Sequence, residues 1–340
     1  MWLPHTYGQA LCLLIISMLF GGSWANALKL MGKCRFELFY WDYVFGTTGV
    51  SILLALTMGS MGKIGTSFFR NVAEGSTASI LFALAGGVVF NISNILLTAA
   101  IEVAGMAVAF PTGVGLSIVI GVCLSYLITP KNDPFLLFGG VALLLVAIIL
   151  DACAYRAVQG SRGKTTRVGI VLCVFSGIGL GLFYPLVAKS FNEPHPVGPY
   201  SVGVLFMLGM LASNIIVNPL FMQHPVTGQP PIPLSSYWKM PAKWHLLGIV
   251  MGGAVWGIGS VFNFVASGTG LVGPATSFAL GDGATMVAAL WGTLVWREFQ
   301  GASPAVTRLL IWMFLLFATG LGAIALSPIF SLSTQMPFPP

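Results

Sequence analysis

Apolar residues fall into ten blocks along this chain, at about 8–31, 39–59, 77–100, 104–128, 134–155, 167–188, 197–220, 244–266, 271–296 and 305–329, with charges, prolines or short polar turns between them. A helix needs about 20 apolar residues to cross a bilayer, and each block is near that length. None shows the two-residue alternation of a membrane strand. The pattern therefore predicts an all-α membrane protein of ten transmembrane helices. The cut between the third and fourth blocks rests on "AIEVAG" (Ala100 to Gly105) alone.

The blocks divide five and five around a basic stretch, "RAVQGSRGKTTR" (Arg156 to Arg167), and the halves echo one another. "GGVVF" (Gly86 to Phe90) answers "GGAVW" (Gly252 to Trp256), "SWANALK" (Ser23 to Lys29) answers "FYPLVAK" (Phe183 to Lys189), and "AFPTG" (Ala109 to Gly113) answers "ALGDG" (Ala279 to Gly283). The offset stays near 160 to 170 residues throughout. An odd number of spans per half forces the copies into opposite orientations, the inverted-repeat design of many secondary transporters, with the binding site between the halves near the midplane. The expected organisation is a first repeat over 1–156, a linker over 157–166 and a second repeat over 167–340.

Composition agrees: 56% of residues are hydrophobic and 7% charged, against about 25% charged in soluble domains. With 15 basic and 9 acidic residues, the net positive charge is read through loop topology and implies no nucleic-acid partner. Placing the N-terminus outside puts eleven basic residues on the cytoplasmic side (Lys29, Lys33, Arg35, Arg156, Arg162, Lys164, Arg167, Lys239, Lys243, Arg297, Arg308) and four outside (Lys63, Arg70, Lys131, Lys189). Both termini are thus expected outside a plasma or inner membrane, and the first block reads as a retained span. The five cysteines are scattered singly and the four histidines lie in loops or termini or, for His245, at the start of a span. Neither arrangement suggests a disulfide framework or a metal site, and no nucleophile-elbow, zinc-protease or phosphate-loop motif is present, so neither enzyme chemistry nor a cofactor is expected.

Candidate chemistry centres on "FALGDGATM" (Phe278 to Met286), where Asp282 stands between two glycines inside the ninth block. An ionised carboxylate is costly in hydrocarbon, so such residues usually face a cavity and mark ion or proton paths. Asp282 is the candidate proton carrier; a neutral Asp bonded between helices is the structural alternative. Asn91 and Asn94 lie three residues apart, as do Ser260 and Asn263 in the matching block. Amides and hydroxyls both donate and accept, which suits a sugar, ureide or nucleobase. Asn26, from the "SWAN" stretch, joins this polar set, and Trp24, Tyr184 and Trp256 would supply aromatic walls. Asp42 and Asp151, near charged residues at span ends, are candidate gates, and Pro111 and Pro185, inside spans, are candidate hinges.

Several of these stretches resemble ureide permeases. "GGSWANALKLMGKCRFELFYWDY" (Gly21 to Tyr43) resembles their opening, "GGVVFNISN" (Gly86 to Asn94) their third span, "FGGVALLLVAIILDACAYR" (Phe138 to Arg156) their fifth, "GLGLFYPL" (Gly179 to Leu186) their sixth and "LWGTLVWREF" (Leu290 to Phe299) their ninth. The likeness implies the drug/metabolite transporter superfamily, near ureide permeases and bacterial sugar porters of the rhamnose–proton symporter kind. It also implies transport of small, mostly uncharged polar metabolites, often with protons. Asn26 and Asp282 depart from the family pattern.

The expected function is a secondary permease for a small polar metabolite, with the lipid bilayer and protons as its other partners, as monomer or homodimer. A drug/metabolite efflux exchanger is the alternative within the class. An intramembrane enzyme or a lipid-handling protein is the alternative outside it.

Overall fold

The computed structural model describes residues 1–32, 34–62, 65–104, 106–159, 167–226 and 228–334. All the regular structure among them is helical, and nine helical segments are long and apolar enough to cross a membrane. The predicted fourth span is the one that differs, because its apolar helix covers Thr112–Ile128 and falls short of a full crossing. "AIEVAG" is only partly a turn: the third span continues through it as far as Ala104. Most of the predicted linker, from residue 160 to 166, lies outside the described residues.

The first crossing is two helices, α1 (Tyr7–Gly21) and α2 (Asn26–Met31). A reciprocal capping box starts α1, Thr6 accepting from the Gln9 backbone while the Gln9 side chain reaches back, which satisfies two of the orphan N–H groups of a helix start. The second crossing is α3 (Phe36–Leu56); α4 (Phe68–Glu74) is a short surface turn; α5 (Thr77–Ala104) is the third crossing. Then come α6 (Met106–Ala109), a π-helical turn over Phe110–Val114, α7 (Gly115–Ile128) and α8 (Pro134–Gln159). The second half runs through α9 (Arg167–Asn192), α10 (Pro199–Gln223), a 3-10 turn over Leu234–Lys239, α11 (Ala242–Leu246), a π-helical stretch over Leu247–Ala254 and α12 (Val255–Gly268). It ends with α13 (Pro274–Asp282), α14 (Ala284–Leu290), a π-helical turn over Trp291–Val295 and α15 (Pro304–Thr334).

Two of the irregularities have a local cause. The turn over Phe110–Val114 contains Pro111, which has no N–H to give to the ladder. The break between α13 and α14 falls on Gly283, where bonds tighten to three-residue spacing: Gly283 N donates to Leu280 O and Met286 N to Gly283 O. Pro185, by contrast, sits within an uninterrupted α9.

The packing order follows from small residues. A Cβ on Gly46 would lie 2.2 Å from Ile249 O and one on Gly253 would lie 2.7 Å from Gly46 Cα, so α3 and the start of the α12 crossing touch backbone to backbone. Helix α5 packs on α9 and α10, α7 on α9 and α13, α8 on α15, α1 on α12 and α13, and α3 on α10 and the Leu247–Ala254 stretch. Exposed Leu53, Leu127, Ile149, Phe175, Ile216 and Trp312 clothe the outside, a surface suited to lipid and not to water.

Candidate functional site

The bundle encloses a cavity of about 470 Å³, within the size range of small-molecule sites. Its walls come from the turn between α1 and α2 (Trp24), from α5 (Phe90, Asn94), α9 (Tyr184), α12 (Trp256, Ser260, Asn263) and the last residue of α13 (Asp282). Phe90 and Trp256 stack with centroids 4.8 Å apart and planes 26° from parallel. Phe183 and Phe206 lean on Phe90 at 5.0 and 5.6 Å, while Tyr43 lies 4.8 Å from Trp24 and 5.6 Å from Trp256. Such a belt presents flat faces and ring edges to a planar polar guest while its apolar bodies exclude lipid and water.

Polar groups interrupt the belt at fixed points. Asn94 Nδ2 donates to Tyr40 OH at 3.0 Å, and Asn263 accepts from the Tyr184 hydroxyl while donating to Ser277 O at 2.9 Å. Asp282 is the one charged residue among the described wall residues, and its Oδ2 is buried without a hydrogen-bond partner. An unpaired carboxylate on an apolar wall is costly in its ionised form, so the position calls for a proton, a cation or a ligand donor.

Of the nine side chains expected to bind substrate or proton, seven thus converge on one cavity: Trp24, Asn94, Tyr184, Trp256, Ser260, Asn263 and Asp282. Two do not. Asn26 closes the turn it sits in, donating to Ser23 O at 2.9 Å and accepting from Trp296 Nε1 at 2.6 Å. Asn91 is fully buried off the cavity wall, its amide atoms without partners. Tyr40, Tyr43, Phe183 and Phe206 were not singled out, although "FELFYWDY" already sets Phe36, Tyr40 and Tyr43 on one helical face.

The family profile for "Ureide permease" matches residues 39–162 and 154–327. The chain belongs to the ureide permease family. This permease is similar to "Ureide permease 1" of Arabidopsis thaliana, 24% identical over 96% of this chain and 99% of the relative. "Ureide permease 2" of the same plant is 22% identical over the same shares, and "Probable ureide permease A3" of Vigna unguiculata is 23% identical over 69% of this chain and 82% of its own. One solved crystal structure superposes over 97% of this chain and 99% of its own with a TM-score of 0.60 at 14% identity, which shows a shared fold. The permease is thus a multi-span membrane transporter.

The candidate gates lie at one end of the permease, the linker face, where α8 ends and α9 begins. Arg35 pairs with Glu37, Lys33 lies outside the described residues, and Asp42 is buried with other partners. Tyr237 OH donates to its Oδ1 at 2.5 Å, and His245 Nδ1 lies 2.9 Å from its Oδ2. Burial, and then the carboxylate beside it, push the Tyr237 phenol above its ordinary range, so it stays a donor. Asp151 is buried on α8 near Glu298, with Oδ1 unpartnered. Glu298 takes Lys29 as its ion-pair partner and a hydrogen bond from Tyr155 OH at 2.7 Å. Trp291 donates Nε1 to Ser23 Oγ at 2.9 Å. Of the proline candidates, Pro185 adjoins Tyr184 in α9, and Pro111 is described by its backbone alone.

Proposed function

We propose that this chain is a secondary transporter of ureides and of similar small, neutral, polar compounds, that the cavity is its substrate site, and that Asp282 carries a coupled proton. The observation that carries the reading is the cavity itself: aromatic faces, the amides of Asn94 and Asn263, and one unpaired carboxylate meet where the two sequence halves meet. A ureide is a planar array of N–H and C=O groups, and amides with aromatic walls complement both its edges and its faces. The names of the relatives support the substrate class.

The architecture proposed for it is ten spans in two inverted repeats, over 1–156 and 167–340. The packing supports this. Exchanging each crossing for the one five places on turns the α5–α9 contact into α12–α1, α5–α10 into the contact of the α12 crossing with α3, and α7–α9 into α13–α1; α8–α15, α3–α10 and α7–α13 map onto themselves. The irregular Phe110–Val114 and the break at Gly283 fall at matching places in the fourth and ninth crossings. Drug/metabolite superfamily membership, an inner membrane and outer termini belong to the same proposal. The aromatic weight of the wall favours a second reading, export of flat amphiphiles by exchange.

Uptake into proteoliposomes tests the reading, with hydantoin, a nucleobase and a sugar as competing solutes under an imposed pH gradient. Accumulation of hydantoin that a protonophore collapses is expected. Transport that ignores hydantoin overturns the substrate class, and uptake that ignores the protonophore overturns the coupling.

A further inference from the structure

A second cavity of about 230 Å³ lies at the end of the bundle opposite the linker face. It sits on the extension of the three helices that close the main cavity. Helix α9 gives Tyr184 to the main cavity and Phe191 to the second, α12 gives Asn263 and then Ser267, and α13 gives Phe278 and then Pro274. Four residues of helix rise about 6 Å on α12 and α13, and the seven on α9 about 10 Å, so roughly one layer of side chains parts the two spaces. That layer is Tyr184, Asn263 and Phe278. Tyr184 donates to Asn263, Asn263 to Ser277 O, and the Phe278 ring lies 5.2 Å from Tyr184. Gly121 admits the ring: a Cβ there would come within 2.1 Å of Phe278 Cε1.

The chemistry of the second cavity differs from that of the first. Lys131 lines it, with Nζ close over the Gly270 turn, where an added Cβ would lie 3.1 Å away. The start of α13 at Pro274 lines it too, bringing a helix N-terminus that favours negative charge. Asn192 and Thr129 add an amide and a hydroxyl to the wall and are bonded to each other at 3.1 Å. Ser267, 4% exposed and on the same wall, has a buried hydroxyl that sits beside the Tyr184 phenol without completing a well-formed hydrogen bond. Asp133, the nearest acid in sequence to Lys131, is occupied at the start of α8, where its Oδ1 accepts from Leu136 N at 2.9 Å. An under-bonded hydroxyl, a lysine and a helix N-terminus around one small space form an anion site with room for a neutral amide beside the charge.

We propose that this pocket is an outer binding site that takes the carboxylate end of an anionic ureido compound, before the Tyr184–Asn263–Phe278 layer parts and passes it to the main cavity. The inference rests on the ureide reading for its ligand. It adds to that reading a second site, a charge preference and the identity of the layer between. The matched probes are ureidoacetate, which carries a carboxylate, and hydantoin, its neutral cyclised counterpart.

The test is binding of each probe to the purified full-length protein, wild type against Lys131→Gln and Lys131→Arg. Lys131 is exposed, so folding is expected to survive, and a melting curve checks it. Lys131→Gln is expected to weaken ureidoacetate at least tenfold while hydantoin binding holds, and Lys131→Arg to restore most of the loss. Ureidoacetate binding unchanged in Lys131→Gln, with hydantoin still bound, overturns the outer site and leaves the main-cavity reading intact. Equal loss for both probes overturns it too, because the effect is then not one of charge. If the wild type binds neither probe, the ureide reading falls and the outer site falls with it.

Discussion

The two faces of the bundle are closed by different chemistry. At the linker face the contacts are charged: Lys29 with Glu298 and over Trp296, Tyr155 with Glu298, Arg35 with Glu37, and Asp42 with Tyr237 and His245. At the opposite face the hydrogen bonds between crossings are neutral, and charge enters only through the Arg70–Glu74 pair within α4 and Lys189 over the Phe82 ring among the described contacts. Asn132 Nδ2 donates to Thr276 Oγ1 at 2.5 Å and Ser327 Oγ at 3.0 Å, and Ser79 and Ser190 exchange hydroxyl-to-carbonyl bonds of 2.8 Å. The main cavity opens beside the charged contacts, where exposed Ala25 and Ala288 form its wall, and ends toward the neutral ones at buried Asn263, Phe264 and Phe278. A dry seam is cheapest when it is neutral and fully hydrogen-bonded, whereas ion pairs tolerate water. The closed face is thus sealed by groups that lose little on desolvation, and the open face is lined by groups that can be wetted and re-paired.

This contrast orders the expected effects of breaking each contact. Asp42→Ala leaves Tyr237 and His245 without their shared acceptor at a fully buried site and is expected to cost about 3–5 kcal/mol, read as a large fall in the melting temperature of purified protein. Because the Tyr237 phenol is raised, its share of that stability is full below its ordinary value and is lost only as pH climbs through the raised one. The difference in melting temperature between wild type and Tyr237→Phe should accordingly hold constant from pH 7 to about pH 9. A gap that shrinks within that window would show the phenol ionising early.

Asn132→Ala breaks the neutral seam between α13, α15 and the loop ahead of α8. It is expected to cost about 1–3 kcal/mol and to expose the Thr276 and Ser327 hydroxyls to water. Labelling of a cysteine placed at Ser277 should then accelerate. A seam that stays shut after this change would mean the aromatic layer alone closes the face. The smallest effect is expected for Glu298→Gln, which removes a partly exposed ion pair worth about 0.2–1 kcal/mol. Its mark is the salt dependence of melting, present in wild type and reduced in the variant.

Hydropathy located nine of the crossings among the described residues because membrane spans are set by length and apolarity. It could not find breaks inside them. Gly283 interrupts the ninth block and residues 22–25 interrupt the first, yet neither stretch is polar enough to divide its apolar block, and only "GDG" and "SWAN" hinted at them. The repeat offset pointed to Phe90, Asn94, Trp256 and Ser260, and all four line the same cavity. Asn91 stands about 60° around the helix from Asn94 and lies off the wall, whereas Ser260 and Asn263 at the same spacing both reach it, so the three-residue spacing alone did not decide. Asn26 failed because the turn beside it needed its hydrogen bonds. The Asp42–His245 contact was unreadable, as its partners are 203 residues apart and neither stands in a repeat motif.

The central claim is that the unpaired carboxylate on the cavity wall couples substrate to protons. It is tested most directly by Asp282→Asn in proteoliposomes, measuring hydantoin binding, hydantoin exchange and pH-driven uptake in one preparation. The amide keeps the shape but cannot cycle protonation. The account predicts uptake under a pH gradient reduced at least tenfold, with binding and exchange retained; accumulation at the wild-type level would contradict it.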